Sequence, residues 1–573
     1  MKKISSIFMM TVMTMLITSC MHDHFDDRST YYYYDDGTDE GGCCTGTKTT
    51  IMVYGVGGAT LDYQHLQDFC EMIPYGATDE VNVVFQYKLS AQYQYDSTYK
   101  QWKGVMNWDL ADQNGRKPDE TSLLTMLQQL NGTIYKSDPT YNMTTADALK
   151  DFINDASKYY PADRYVLFLV DHGGGWRTTE DGKGAMSGKA IVYDDNDDNG
   201  GNTYYLTTGA VRNAIANSNI GKVNTLITYA CNMSQWEALY DWKDVTNYVV
   251  ASNGPSYREC MYALLELYKQ DLTDAEILPL YCDAVVKNEQ SSESGNYLYF
   301  TDMGCYDMSK MSTMQTIIGE VASMMKSSYG DATFKAAADY ATRHAIVCNA
   351  GDTYFYKSQE DGEAAFQELY NAITTNCPKL NATYKYVYDK QGAVSGYEIN
   401  SDFIRIFQDQ CPEKFSALKY ESVVLQNMTN SEAMTISLAD FLYQLRGQIP
   451  ATNVAYANVN NLYEKYMTQL KDMSYSNMTH SETGDAYLQC SPSIIGYSLN
   501  EEGWVPWTKE MVWTESCNVS PLAANYKLSD IISYYQVSTF DKLTGWSGWL
   551  KTNTVNPHSM INDSRSEKYY RLK

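Results

Sequence analysis

The chain has 573 residues, 44% of them hydrophobic, and a formal net charge of −26, which describes a large globular protein with an acidic surface. That charge argues against nucleic acid and against electrostatic attraction to anionic lipid, and it makes basic peptides a better-matched partner. The 13 cysteines are widely and irregularly spaced with no CxxC pair, so a full disulfide framework is not expected and most should be small buried apolar residues.

Residues 1–20 read as a targeting segment. Lys2 and Lys3 form a basic start, and Ile4 to Ile17 is an apolar run too short to span a bilayer. Leu16-Ile17-Thr18-Ser19-Cys20 then resembles a bacterial lipobox, with Cys20 as the lipidated thiol. Residues 21–48 are rich in His, Asp, Tyr and Gly, a composition that cannot bury a core and reads as a flexible tether. Together they predict a lipoprotein of the bacterial cell envelope, at the outer membrane or surface, touching membrane through its N-terminus only.

Thr49 to Tyr54 is the first strand candidate, ending in Gly55-Val56-Gly57-Gly58. No GxxxxGK[ST] follows and the spacing misses GxGxxG, so these glycines are not read as a phosphate loop. Leu61–Ile73 reads as helix, Val81–Tyr87 as strand, and Ser122–Leu130 as a short helix. The Trp-containing stretch between them, with Trp102 and Trp108, reads as a hairpin or loop insertion. Thr145–Tyr159 reads as a capped helix whose Ala146, Leu149, Phe152, Ile153 and Ala156 form one apolar stripe.

Two stretches then carry the chemistry. Tyr165-Val166-Leu167-Phe168-Leu169-Val170 is the kind of apolar run found in a strand buried on both faces, and it stops at Asp171-His172-Gly173-Gly174-Gly175-Trp176. Val223 to Tyr229 repeats the pattern and stops at Ala230-Cys231-Asn232-Met233-Ser234. Strand ends in an open α/β sheet meet at one edge, where such folds bind ligands. His172 is the candidate base, Cys231 the candidate nucleophile, and the backbone N–H groups of Gly173 and Cys231 the candidate oxyanion donors. Asp171 alternates to the opposite face and is read as structural. Strand–helix–strand alternation predicts a mostly parallel sheet flanked by helices.

Between those stretches, Asp194 to Gly200 matches the opening of a calcium loop but has Leu206 where a bidentate Glu would stand. An EF-hand is rejected, while a looser calcium site at Asp195, Asp197 and Asn199 stays open beside a solvated acidic turn. No cofactor is required. Thr207–Ala216 reads as helix, Ser234 as the cap of a helix through Tyr240, and Tyr248–Ser252 as another strand. Beyond residue 300, helices are expected along the Met308–Val321 stripe and at Phe334–Ile346, Gly362–Thr374, Ser437–Leu445 and Ala457–Met473, with Tyr- and Trp-rich strands in 382–400 and 486–550. His344 and Cys348 are assigned to packing rather than metal.

The Asn142–Tyr165 run, the Asp171–Trp176 motif, Tyr229-Ala230-Cys231-Asn232-Met233 and the Tyr248–Ser252 strand together resemble the clostripain-like cysteine peptidases over roughly residues 49–260. The resemblance implies a caspase-like α/β fold, a Cys–His dyad at Cys231 and His172 with Gly173 beside it, and peptide or protein substrates cleaved after basic residues, sometimes with calcium dependence and self-cleavage. Gly58-Ala59 departs from the family's Asp-Asn pair. In the pocket segment Glu259 is the carboxylate nearest in register to meet a basic side chain, with Arg258 beside it. Trp176 is assigned to substrate binding, and Lys189 to self-cleavage. The expected organisation is a signal peptide (1–20), a tether (21–48), a caspase-like peptidase domain (49–300) and a C-terminal α+β accessory domain (301–573). The rival reading is a surface lipoprotein that binds glycan or peptide through its aromatic C-terminal half, with an inactive peptidase module.

Overall fold

The computed structural model describes residues 48–57, 61–78, 80–90, 105–109, 131–136, 138, 140–176, 191–194, 204–253, 256, 260–270, 272–291, 302–345, 347–348, 353–356, 359–388, 394–399, 403, 406–407, 410–411, 414, 433–478, 491–498, 511–514 and 538–550. At its centre lie five parallel strands: β1 (Thr49–Val56), β2 (Val81–Lys88), β5 (Arg164–Val170), β8 (Val223–Tyr229) and β9 (Thr246–Ala251). The sheet order runs β9-β8-β5-β1-β2, continued antiparallel by β3 (Val105–Asp109) and β4 (Asn131–Lys136) at one side. The hairpin β3–β4 is the expected Trp-containing insertion, while Ser122–Leu130 lies outside the described residues.

The apolar runs are continuous because both faces of the sheet are covered. Alternation divides their side chains: Met52, Tyr54, Leu167 and Leu169 enter one core, Ile51, Val53, Phe168 and Val170 the other. The second core is closed by α1 (Asp62–Glu71), α5 (Met261–Tyr268) and α6 (Asp274–Ser291). The first is closed by α2 (Ala146–Tyr159), α3 (Thr208–Ala216) and α4 (Trp236–Trp242). Thr145 caps α2 by accepting from Ala148 N at 3.1 Å, and Thr207 caps α3 by accepting from Ala210 N at 2.9 Å. Each such cap contributes about 1 kcal/mol. Ser234 does not cap α4 as expected. Gln235 holds the cap position without a side-chain bond, and the Ser234 hydroxyl instead lies 2.8 Å from Tyr306 Oη.

The boundary expected at residue 300 is not respected by the sheet. β10 (Asp302–Asp307) adds antiparallel to β9, and β16 (Ser474–Met478) adds antiparallel to β10, giving nine strands in all among the described residues. Helices α7 (Met311–Ser328), α8 (Ala332–His344), α10 (Leu438–Gln448) and α11 (Tyr456–Met473) then pack into the same apolar core as α2 to α4. The Met308–Val321 stripe is thus the wall of the peptidase core and not of a separate accessory core. Between α8 and α10 runs α9 (Gln359–Asn376). Smaller sheets collect β11 (Val347–Cys348), β15 (Ala433–Ser437) and β17 (Ser493–Ser498); β12 (Thr353–Tyr356) and β18 (Met511–Thr514); and β13 (Tyr384–Tyr388) with β14 (Val394–Ile399). Among the elements missed by sequence, which include α5, α6, β11, β12 and β15, the strands β10 and β16 are short and partly polar. They are strands because neighbours supply a ladder, which local composition does not reveal.

Among the described residues Cys70, Cys260, Cys282, Cys305 and Cys377 are buried free thiols, as composition suggests, and Cys231 and Cys411 are half-buried. No helix among them is long and apolar enough to cross a membrane.

Candidate active site

The pairing of β5 with β8 fixes the site. Val170 stands opposite Tyr229, and Asp171 N extends the ladder by donating to Tyr229 O at 3.1 Å. His172 and Cys231 therefore leave neighbouring strands two residues past the same rung. Both are half-buried and so reach solvent. Gly173 lies against Cys231 so closely that a Cβ there would sit 2.0 Å from Cys231 O and 2.8 Å from its N. Only glycine allows that approach. Gly175, at φ 84°, then turns the chain left-handed towards Trp176.

Cys231 Sγ accepts from Ser256 N at 3.3 Å and faces Ser256 O at 3.9 Å. The sulfur thus meets both the N–H and the carbonyl of one residue. Ser256 belongs to the loop after β9, and that loop is held by the distant half of the chain. Asn253 N donates to Asp302 Oδ2 at 2.9 Å, Asn253 Nδ2 donates to Ser491 O at 2.7 Å, and Asn253 Oδ1 accepts from Ser493 N at 3.1 Å. Ser493 N also donates to Ser234 O at 3.0 Å, and Ser234 N to Ser252 O at 2.8 Å. One strap from residues 491–493 thus ties the loop after Cys231 to the loop that carries Ser256.

On the His172 side, Asp171 is buried and braces main chain. Its Oδ1 accepts from His172 N at 2.6 Å and its Oδ2 accepts from Tyr193 N at 2.5 Å. This accords with the structural role expected of it. Tyr193 belongs to β6 (Ile191–Asp194), which pairs with β7 (Tyr204–Leu206), and its ring centroid lies 5.7 Å from that of His172. Between Ile191 and Tyr193, Val192 is fully buried at φ 55°. A β-branched residue in that region is a strained exception, costing on the order of 1–3 kcal/mol, and persists only where its flanks are over-determined.

Beneath His172 and Cys231 is a polar layer in the second core. His65 Nδ1 lies 2.9 Å from Tyr87 Oη, and Tyr229 Oη donates to Asp68 Oδ2 at 2.7 Å. Burial, and secondarily the neighbouring His172, hold His65 down to about 3, so it stays neutral across the working range. Burial with help from Asp68 pushes the Cys70 thiol up to about 12, leaving it inert beside the half-buried Cys231.

Trp176 is not where a substrate-binding residue must be. It is 1% exposed, its main-chain N donates to Gln235 Oε1 at 2.9 Å, and its Nε1 donates to Asp241 Oδ2 at 3.1 Å. Its ring is a strut between the His172 loop and α4. Glu259, Lys189, Asp195, Asp197, Asn199 and Cys20 lie outside the described residues. Among the described residues no cluster of three or more His, Cys, Asp or Glu is arranged to hold a metal. Asn253, Ser256 and Tyr193 were not singled out from sequence. Asn253 had one signal, a polar residue directly after a buried strand at the edge where ligands bind.

A solvent-reaching thiol and imidazole follow adjacent parallel strands with glycine main chain between them, and these are the residue types that cysteine-dependent hydrolysis needs. The chain matches the Clostripain family over residues 53–489 and belongs to it; the protein is a cysteine peptidase acting on peptide or protein substrates. Among solved structures it is similar to a secreted C11 cysteine protease from Bacteroides thetaiotaomicron in complex with an irreversible peptide inhibitor (11% identity, 87% of this chain, 99% of that one, TM-score 0.45). It is also similar to an inactive zymogen C11 protease from Parabacteroides distasonis (11% identity, 87% of this chain, 98% of that one, TM-score 0.41). A further secreted C11 protease from B. thetaiotaomicron, "iotapain", is 19% identical over 48% of this chain and 70% of its own, with a TM-score of 0.34. No curated protein matches the chain significantly.

Two predictions follow from the packing around the site. Burial raises Asp241 from 3.8 to about 6, against the opposing pull of Thr208, Arg212 and Trp176. A carboxyl raised in this way stabilises the fold while protonated, and that contribution is lost as pH climbs through about 6. Asp241→Asn stays neutral, so its melting temperature relative to wild type should rise between pH 4 and pH 7, by the equivalent of roughly 2–3 kcal/mol. A difference that stays flat over this window means that Asp241 does not titrate there. Asn253→Ala should cost about 1–3 kcal/mol in stability and slow alkylation of Cys231 by iodoacetamide several-fold at pH 7. Alkylation at the wild-type rate would show that the Ser256 loop stands without the Asn253 clamp.

Proposed function

We propose that the protein is a lipid-anchored cysteine endopeptidase in which Cys231 attacks the scissile carbonyl and His172 manages the protons. His172 takes the thiol proton, the Cys231 thiolate bonds to the carbonyl carbon, and the oxyanion is received by the backbone N–H groups of Gly173 and Cys231. Collapse breaks the C–N bond while the His172 imidazolium protonates the departing amine. Water then attacks the thioester, giving its proton to His172, and the carboxylic acid leaves with the thiol restored. Proton transfer contributes about 10²–10⁴-fold and each oxyanion donor about 10²–10³-fold. The observation that carries the reading is the Val170–Tyr229 pairing, which sets both residues at one depth beside the Gly173–Cys231 contact.

Around this centre the sequence supports finer assignments. Glu259 is the carboxylate offered to a Lys or Arg side chain, and calcium at Asp195, Asp197 and Asn199 would cross-link the acidic segment between the motifs. Self-processing falls at Lys189-Ala190, and Cys20 carries the lipid that holds the enzyme at the outer membrane or surface of the bacterial envelope. The alternative is a surface lipoprotein that binds glycan or peptide through its aromatic C-terminal half with an inactive peptidase module; against it, that half supplies strands β10 and β16 and much of one peptidase core.

Iodoacetamide at neutral pH should label Cys231 first, and His172→Ala should lose that preference while cleaving a Lys/Arg peptide panel at least 10³-fold more slowly. Uniform slow labelling of the thiols would end the dyad assignment. In the same panel Glu259→Gln should lose the basic preference, and a chelator should lower the rate if calcium braces the segment; a panel indifferent to both removes those two assignments. Intact mass of the envelope-expressed chain tests the rest. Wild type should carry acyl mass on Cys20 and appear as two fragments divided after Lys189, with Cys231→Ala left whole; identical, lipid-free single chains would remove both proposals.

A further inference from the structure

Lys88 and Asp194 are a pair for which the reaction as derived has no use. Lys88 is the last residue of β2, and its Nζ lies 2.5 Å from Asp194 Oδ2 with both side chains wholly buried. The same ammonium donates to Tyr141 O at 3.0 Å. Burying two charges costs more desolvation than an apolar pair of the same volume would, so stability alone does not account for them.

What the pair holds is β6. Among the described residues that four-residue strand has only β7 as a ladder partner, and it packs across β1 and β5 without joining the main sheet. Its conformation is fixed residue by residue. Ile191 bridges Gly173, Val192 is forced into a left-handed turn, Tyr193 N donates to the Asp171 carboxylate, and Asp194 is tied to Lys88. The output faces His172 twice, once through Asp171 Oδ1 on its main-chain N and once through the Tyr193 ring against the imidazole.

We propose that Lys88 is a positioning residue for peptide hydrolysis, its buried ion pair with Asp194 anchoring β6 so that Tyr193 and Asp171 fix the backbone and ring of His172. The proposal rests on the reading of His172 as the base. Its effect belongs to the chemical step, because a misplaced base loses rate while Cys231 and the Ser256 N–H on its sulfur keep their places.

The test is the double variant Lys88→Met/Asp194→Leu in the full chain, which removes both charges and keeps apolar volume. We expect kcat on a peptide substrate to fall about 10–100-fold with KM within about twofold. The acid limb of the kcat/KM pH profile should move, and the melting temperature should stay close to wild type. A double variant that keeps wild-type kcat, or whose KM rises with kcat unchanged, overturns the proposal. If the double variant fails to fold, Asp171→Asn cuts the same chain one link nearer His172 and must show the same split; unchanged kcat there is equally fatal. His172→Ala, measured alongside, separates the two levels. If it keeps activity, the assignment of the base fails. If it is inactive while the double variant is fully active, the brace alone fails.

Discussion

The in-register parallel contact between β5 and β8 is the constraint on which the rest of this enzyme depends. Two strands whose side chains are buried on both faces cannot slip by one residue without turning an entire apolar set to the wrong core. Leu167 and Leu169 are committed to one face and Phe168 and Val170 to the other, and Leu226 and Ile227 divide in the same way. Register is therefore fixed by the hydrophobic effect over many residues. It is then inherited by the two residues that leave the strand ends together, His172 and Cys231. The placement of those two residues is set first by core packing, and the bond from Trp176 N to Gln235 Oε1 then ties the two loops together.

That inheritance ends one residue past the ladder, and other devices take over. At Gly173 the missing Cβ lets main chain meet main chain beside Cys231. Asp171, buried with its carboxylate turned to two backbone N–H groups, does for the His172 loop what hydrogen bonds between strands do within the sheet. On the thiol side the corresponding device comes from far away in sequence. Asn253 is gripped by Ser491 and Ser493, and Ser493 also reaches the Cys231 loop at Ser234. The His172 and Cys231 loops are both steadied by backbone donors held on buried carboxylate or amide oxygens, groups that are costly to leave unpaired and therefore hold their stations.

How much of this was legible beforehand follows the range of the forces involved. The strands before His172 and Cys231 were readable because short runs rich in branched and aromatic residues, ending in glycine or a small residue, announce themselves locally. Helices such as α2 and α7 were readable from their apolar stripes, and α2 from its threonine cap as well. That His172 and Cys231 come to one sheet edge was readable because both directly follow strand-like runs. What could not be read was every relation between distant segments. β10 and β16 have no strand-like alternation of their own and exist by edge pairing. Trp176 looked available at the rim, yet its indole is drawn inward by Asp241, sixty-five positions further on. Ser234 looked like a cap because its sequence neighbours suited one, and its hydroxyl went to Tyr306 instead.

The same reasoning bears on why the peptidase is not complete at residue 300. A sheet that ended at β9 would present a bare parallel edge, with unpaired N–H and C=O groups directly beside the loop that carries Ser256. β10 covers that edge and brings Asp302 to Asn253 N, and β16 covers β10 in turn. Helices α7, α10 and α11 close the core on which Trp236 and Leu239 of α4 rest, and α4 begins five residues after Cys231. Trp236 Nε1 itself donates to Tyr466 on α11 at 3.0 Å. The second half therefore meets the site three ways: it closes the sheet, it walls the core behind the thiol loop, and it clamps the loop opposite the sulfur. A segment with those contacts is part of the catalytic body, and cutting the chain at residue 300 would expose apolar helix faces and leave the Ser256 N–H without a fixed position against Cys231.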